Sequence, residues 1–192
     1  MKFLIAVSTL LFLGVSSSNV NAPAKNGDYL NWKDGELEWK DFKGKAPSNT
    51  PYAALTYSAI DLQIEGLGDK LSVHINTIFD PKQSWKKDNI TDFLLKHEQL
   101  HFDITEYHSR LLREKIQTLK FESFESIGPD IQKEFNTISQ AADEMQETYD
   151  YETDHSKVKE EQLNWNKKLK ELLDSKSDYT ETDLTIDISY LH

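Results

Sequence analysis

The sequence predicts an α+β fold in which an antiparallel β-hairpin precedes three helices. Two early segments alternate apolar and polar residues, which is the pattern of strands with one buried face. Beyond Asp80-Pro81 the apolar residues recur every three or four positions, as they do on the buried face of a helix. Residues 23–192 are long enough to form one domain with a substantial hydrophobic core.

The two predicted strands follow a loop-like segment, residues 23–51, that is rich in Gly, Asn, Lys and Pro. The segment also contains three aromatic residues, Trp32, Trp39 and Phe42. Their presence predicts that the segment is held against the core. The inner face of the first strand is expected to carry Leu55, Tyr57 and Ala59. The inner face of the second strand is expected to carry Leu71, Val73, Ile75, Thr77 and Phe79. The sequence Gly-Leu-Gly-Asp at residues 66–69 predicts the turn between them.

Three helices are predicted after the hairpin. The first runs from about residue 89 to 120, and a break at Gly128-Pro129 precedes the second. The inner face of the second helix is expected to carry Ile131, Phe135, Ile138, Ala142, Met145 and Tyr149. Residues 149–156 (YDYETDHS) interrupt the pattern. The third helix, at about residues 156–173, is expected to bury Val158, Trp165, Leu169 and Leu172. The alternation in DLTIDISYLH indicates a last strand.

The N-terminal residues 1–22 have the features of a secretory signal peptide. Lys2 supplies a positive charge, residues 3–15 are mostly apolar, and Val20-Asn21-Ala22 ends in a small residue. The apolar run is about thirteen residues, which is shorter than the roughly twenty needed to span a bilayer. The chain contains no cysteine, so it has neither disulfides nor a lipoprotein cleavage site. The sequence therefore predicts export to the periplasm or the extracellular space without a membrane anchor.

The signal peptide leads to a first testable prediction. Mass spectrometry of the mature protein is expected to place its N-terminus at Pro23 or within a few residues of it. Recovery of the protein from the cytosol with Met1 intact would contradict the predicted export.

The charge of the chain excludes one class of partner. Its formal net charge is −11, with 33 acidic against 22 basic residues. Nucleic-acid binding depends on a basic surface that contacts phosphates. Nucleic acid is therefore not an expected partner.

The strongest functional signal is the sequence His97-Glu98-x-x-His101 on the first predicted helix. Residues four apart on a helix are separated by about 40° around the axis and roughly 6 Å along it. Two imidazoles in this arrangement can share one tetrahedral zinc ion. Glu98 is expected beside them, where it can take a proton from a zinc-bound water as a general base. The motif predicts a zinc hydrolase.

Other polar residues of the same helix are not expected to bind the metal. His108 lies roughly 10 Å beyond His101 along the helix, so it is expected in the core or behind a ligand. Asp103 points away from His101 and is expected to pair with another segment. The extended motif of metzincins is absent, because Ile104 and Tyr107 occupy its Gly and third His positions.

Several motifs together resemble a known bacterial family, domain of unknown function 922. They are PKQSWKK (81–87), LLKHEQLHFDITEYHSRLLR (94–113), and YDYETDHS (149–156) followed by Gln162 and Trp165. The resemblance covers residues 37–172 and begins at LEWKDFKG. The family is regarded as secreted zinc-dependent proteases with a zincin-like fold. The resemblance implies a zinc site at His97 and His101, with Glu98 as base, and a role for the pattern Y-D-x-x-T-x-H-G, whose last position is Ser156 here.

The third zinc ligand is expected just after the second helix. The candidates are Asp150, Glu152, Asp154 and His155. His155 is favoured, because imidazole is a good zinc donor and the residue belongs to the family-like pattern. Glu152 is an alternative, and Asp150 better suits a role in orienting a ligand. Tyr149 or Tyr151 is a candidate donor to the developing oxyanion.

The expected function is that of an exported zinc metallopeptidase whose substrate is a peptide or a protein. By analogy with the fold, residues 71–79 are expected to be an edge strand to which an extended substrate adds. Two alternatives remain open at this point. One is a non-catalytic envelope protein that binds a partner or a metal, and the other is a zinc amidase that acts on cell-wall amides.

Overall fold

Two ten-residue strands form the predicted antiparallel hairpin. The computed structural model describes residues 29–88 and 90–191, so the predicted signal peptide, residues 1–22, lies outside the described residues. Strand β3 (Ser58–Leu67) pairs with β4 (Lys70–Phe79) along the full length of both. Gly68, in the turn, has φ 60°, a left-handed conformation that glycine adopts readily. The inner face predicted for β4 is confirmed, since all five of its residues are buried.

The inner face predicted for the first strand is wrong, although Ala59, one of its three residues, is buried. Ile60 and Leu62 point into the core, and they pair with Thr77 and Ile75 of β4. The alternation in the sequence had suggested the odd-numbered residues, and a shift of one residue reverses the faces of a strand. Leu55 belongs to a separate short strand, β2 (Ala54–Leu55), which pairs with β5 (Trp85–Lys86).

Strand β4 lies in the middle of its sheet. One of its sides pairs with β3, and the other pairs with β1 (Leu30–Asn31) and β6 (Asp183–Asp187). The last predicted strand is therefore confirmed. The expectation that residues 71–79 form an edge strand open to a peptide is wrong, because both sides of β4 are already paired.

Helix α1 (Asp92–Thr118) carries the two histidines of the motif. The helix begins as capping predicts, because the Thr91 hydroxyl accepts a hydrogen bond from the Leu94 backbone N–H at 3.1 Å. It contacts β3, β4 and both later helices. This central position explains why polar residues such as His97 and His101 are buried along with the apolar ones.

Helix α2 (Phe124–Thr153) is longer than predicted at both ends. The expected break at Gly128-Pro129 is wrong, since Pro129 lies inside the helix. Pro129 removes one helical hydrogen bond, but Ile127 and Ile131 on either side of it are buried in the core and outweigh that loss. The interruption expected over residues 149–156 begins later than predicted, because the helix continues to Thr153 and the turn follows at residues 154–157.

Helix α3 (Lys159–Ser175) follows a tight connection. Trp165 and Leu169 are buried as predicted, whereas Val158 precedes the helix and is 40% exposed. Three consecutive connecting residues, Asp154, His155 and Ser156, have φ angles of 44°, 52° and 73°. This left-handed conformation is unfavourable for residues other than glycine. Two backbone hydrogen bonds hold it, from His155 N–H to Asp150 O and from Val158 N–H to Thr153 O.

Three apolar clusters hold these elements together. The largest lies between the four-stranded sheet and helices α1 and α2. A second joins the three helices, and it consists of Leu100, Ile104, Tyr149, Trp165 and Leu169. The third contains Phe42, with Trp32 and Trp39 packed against it, so the predicted anchoring of the N-terminal segment is confirmed. In the described ranges, none of the helices is both long and apolar enough to cross a membrane.

Candidate metal centre

His97 and His101 lie side by side on α1, as their spacing predicts. Their rings are nearly perpendicular, with centroids 4.8 Å apart, and the two Nε2 atoms are 3.2 Å apart. Only 2% of His97 and 8% of His101 are exposed. The motif thus brings two ligand nitrogens to one buried point.

Asp150 of α2 brings a third ligand atom to the same point. Its Oδ1 lies 3.1 Å from His97 Nε2 and 3.2 Å from His101 Nε2. A tetrahedral zinc ion bound at about 2.0–2.1 Å separates its ligand atoms by roughly 3.3–3.4 Å. The three atoms therefore already stand at nearly the separations that one zinc ion requires, and the residues present fit such an ion.

His155, the residue that the sequence favoured as third ligand, lies next to Asp150 on the cleft but outside the three-atom group. Its Nδ1 is 3.3 Å from Asp150 Oδ1, and its ring packs edge-on against Tyr52 with centroids 4.8 Å apart. The described residues whose ligand atoms all lie within 4.8 Å of one another are His97, His101 and Asp150. Asp150 takes this position because α2 continues past Tyr149, which turns its carboxylate toward α1.

The other carboxylates considered as ligands point elsewhere. Glu152 accepts a hydrogen bond from Trp165 Nε1 at 2.7 Å, and Asp154 pairs with Lys157 at the surface. Neither carboxylate belongs to the three-atom group.

Two glutamines contact the outer nitrogens of the histidines. His97 Nδ1 donates to Gln162 Oε1 at 2.9 Å, and His101 Nδ1 donates to Gln146 Oε1. Sequence reasoning noted Gln162 only within the family resemblance and missed Gln146. The available signal was spacing, because Gln146 and Asp150 are four apart on α2 and therefore share the face that meets the two histidines.

Tyr149 is fully buried beneath the site. Its ring stacks on His97 with centroids 4.6 Å apart, and its hydroxyl donates to Gln162 Oε1 at 2.7 Å. This places the hydroxyl behind His97, and Tyr149 is not among the residues that line the adjoining cleft. Tyr151, the other aromatic considered, is 86% exposed on the outer side of α2.

Glu98 lies on the cleft beside the two histidines. Its side chain is largely buried, and it lines the cleft together with His97, His101 and Asp150. The Thr56 hydroxyl donates to the Glu98 backbone carbonyl at 3.1 Å, which ties the cleft wall to α1. The motif therefore places Glu98 on the wall of the cleft, next to the two histidines.

The cleft has a volume of about 800 Å³ and a mainly apolar wall. Residues 50–58 form one continuous part of this wall. Other apolar side chains in its lining are Pro47, Trp85 and Leu94. A cleft of this size and lining can enclose several residues of a peptide.

The charges at the site favour an ionised carboxylate between the imidazoles. Burial lowers the pKa of His101, but the adjacent Asp150 carboxylate more than offsets burial, so the pKa rises to about 9. Burial raises the pKa of Asp150, and the two imidazoles outweigh this effect and hold the pKa well below its usual range. In the metal-free protein, Asp150 is thus a carboxylate that holds a proton on His101.

Two further polar residues of α1 behave as predicted. His108 is buried, its Nδ1 donates to Ile104 O at 2.8 Å, and burial lowers its pKa. Asp103 accepts a hydrogen bond from Trp32 Nε1 at 2.7 Å, so it pairs with the N-terminal segment. Neither residue belongs to the three-atom group.

Comparison with known proteins identifies a family. A family model matches residues 27–156, whereas the resemblance noted in the sequence was expected to cover residues 37–172. The match therefore ends before α3. Neither the curated proteins nor the solved structures include a match to the chain. Because the matched range spans more than half of the chain, the protein belongs to the family described as Bacterial protein of unknown function (DUF922).

Proposed function

We propose that the protein is an exported zinc metallopeptidase with a zincin-like fold. In this proposal His97, His101 and Asp150 hold the zinc ion and Glu98 is the general base. The observation that carries the proposal is the convergence of three ligand atoms, separated by 3.1–3.2 Å, beside the cleft.

The hydrogen bonds around the site explain why this convergence favours a metal. Each histidine donates its Nδ1–H to a glutamine, so in the neutral rings both Nε2 lone pairs face the Asp150 carboxylate. Three acceptors directed at one buried point repel one another unless a positive charge lies between them. A single proton satisfies only part of this group, whereas a divalent cation satisfies all three. Imidazole and carboxylate donors in a tetrahedral arrangement suit zinc.

The residues on the cleft support hydrolysis. Zinc, when bound, supplies a Lewis acid that lowers the pKa of water and polarises a carbonyl group. Glu98 lines the same cleft, and its proposed role is to take a proton from the attacking water and pass it to the departing amine. Thr56 keeps the cleft wall fixed relative to the Glu98 backbone.

The cleft supports an extended peptide as substrate. In the described ranges, β2 pairs with β5 to form a two-stranded sheet, so one edge of β2 has no partner strand. Ala54 and Leu55 of β2 also line the cleft. An extended peptide can add to such an edge through backbone hydrogen bonds. This edge replaces β4 as the proposed position of the substrate.

A direct experiment is to measure zinc content and cleavage of casein by the purified protein. We expect close to one zinc per chain, cleavage that stops when a chelator removes the zinc, and recovery when zinc is returned. If the folded, zinc-loaded protein cuts casein no faster than a buffer control, the peptidase proposal is wrong. Release of amines from cell-wall fragments would then favour the amidase alternative, and no turnover of either substrate would favour a binding protein.

The charges at the site predict that zinc binding releases a proton. His101 is protonated at pH 7 in the metal-free protein, because its pKa is raised to about 9. Zinc must displace that proton to bind the nitrogen, so about one proton per zinc is expected to be released at pH 7. The number released should fall as the pH rises through about 9. Calorimetric titration in buffers of different ionisation enthalpy measures it, and a binding enthalpy independent of buffer would contradict the prediction.

A further inference from the structure

We propose that Gln146 and Gln162 are positioning residues that hold both imidazoles with the proton on Nδ1 and the Nε2 lone pair toward the metal. This inference rests on the zinc site proposed above. It concerns two neutral side chains whose amide oxygens contact the outer nitrogens of the two histidines.

The orientation of Gln146 is fixed by the backbone. Its side-chain Nε2 donates to the His101 carbonyl oxygen at 2.8 Å and lies 3.3 Å from Thr105 Oγ1. A carbonyl oxygen can only accept, so the amide NH₂ must face it. The Gln146 Oε1 then faces His101 Nδ1, which must carry the hydrogen in that contact.

Gln162 acts on His97 from a different helix. Its Oε1 accepts from His97 Nδ1 at 2.9 Å and from the Tyr149 hydroxyl at 2.7 Å. Its Nε2 donates to Asn166 Oδ1 at 3.1 Å, and the whole side chain is buried. Tyr149 also stacks on His97, so the imidazole is held both by its edge and by its face.

The position of Gln162 makes α3 part of the metal site. The family match ends at Ser156, three residues before α3 begins, yet α3 supplies the hydrogen-bond partner of one proposed ligand. Outer partners that orient metal-binding histidines typically change metal affinity by about 10- to 100-fold when they are mutated. The two glutamines are expected to lie in that range.

The two glutamine amides are neutral, and this affects how strongly the imidazoles bind zinc. With glutamine as the outer partner, Asp150 is the only anion among the three proposed ligands and their two hydrogen-bond partners. A carboxylate at either outer position would make the attached imidazole a stronger donor and the ion less electrophilic. Tighter zinc binding with slower turnover is therefore expected from Gln162→Glu.

The test compares zinc affinity among variants by competition with a chelating dye. Gln146→Leu and Gln162→Leu are expected to weaken zinc binding by about 10- to 100-fold. The matched control is Gln140→Leu, because Gln140 is an exposed glutamine on α2 that bonds to Glu144. Gln162→Glu should bind zinc at least as tightly as the wild type, since its carboxylate can accept the same two hydrogen bonds and the Asn166 amide can turn to donate. If Gln162→Leu weakened zinc binding only through lost packing, retained zinc binding in Gln162→Glu would not be expected.

Nitrogen-15 spectra of the wild-type histidines provide a readout that needs no variant. In zinc-loaded protein, two imidazoles are expected to keep a proton on Nδ1 and to bind zinc through Nε2. Coordination through Nδ1, or Leu variants that bind zinc as tightly as the wild type, would overturn the role of the glutamines while leaving the zinc site intact. Absence of zinc binding by the wild type would overturn the zinc site itself and this inference with it.

Discussion

Replacing Glu98 with glutamine is expected to reduce peptidase activity by about 10²- to 10⁴-fold or more, while zinc content and fold are retained. Glutamine has nearly the shape of glutamate but cannot take a proton from water. Glu98 is not one of the three converging ligands, so its replacement should leave the metal in place. Casein cleavage, zinc analysis and thermal unfolding of the same preparation measure the three quantities.

A suitable control is Glu147→Gln, because Glu147 is exposed on α2 and the substitution makes the same change of charge. It should leave activity close to that of the wild type. Near-wild-type turnover by folded, zinc-loaded Glu98→Gln would show that another group activates the water.

Asp150→Asn is expected to weaken zinc binding more strongly than a change to Gln146 or Gln162, and therefore by more than about 100-fold. The substitution keeps the shape of the side chain and removes the negative charge between the two imidazoles. The charge matters because Asp150 Oδ1 lies within 3.2 Å of both Nε2 atoms. Zinc affinity by dye competition, together with thermal unfolding of the metal-free protein, separates loss of metal from loss of fold.

His155→Ala and Glu152→Ala decide between the alternative ligands. His155 contacts Asp150 rather than the other two ligand atoms, and Glu152 bonds to Trp165. Both variants are thus expected to retain zinc binding. For His155→Ala, zinc affinity should fall by no more than the about 10- to 100-fold expected for the glutamine variants. If His155→Ala loses zinc while Asp150→Asn keeps it, the imidazole favoured by the sequence is the third ligand.

The periodicity of the sequence was sufficient to place the two histidines. His97 and His101 lie four apart in a long helical pattern, and any regular helix brings such a pair to one side. The hairpin and the inner face of β4 were also predictable, because alternation and a glycine turn are local features. The same local pattern could not reveal that β4 is central, since its partners at residues 30–31 and 183–187 are remote in sequence.

The position of Asp150 could not be predicted because it depends on where α2 ends. The sequence favoured His155 because imidazole is a good zinc donor and because the residue lies in the family-like pattern, and it assigned Asp150 an orienting role. Packing of Tyr149 and of other buried α2 residues against their neighbours extends the helix to Thr153. Tertiary contacts of this kind outweigh local helix propensity. Gln146 gave no signal by residue type, because glutamine is not a common zinc ligand.

A crystal structure of the zinc-loaded protein, with anomalous data collected at the zinc absorption edge, tests the zinc site most directly. We predict one anomalous peak per chain, bonded at about 2.0–2.2 Å to the Nε2 atoms of His97 and His101 and to an Asp150 oxygen. A crystal without a peak at this point, or a peak bound by other residues, would contradict the proposed site.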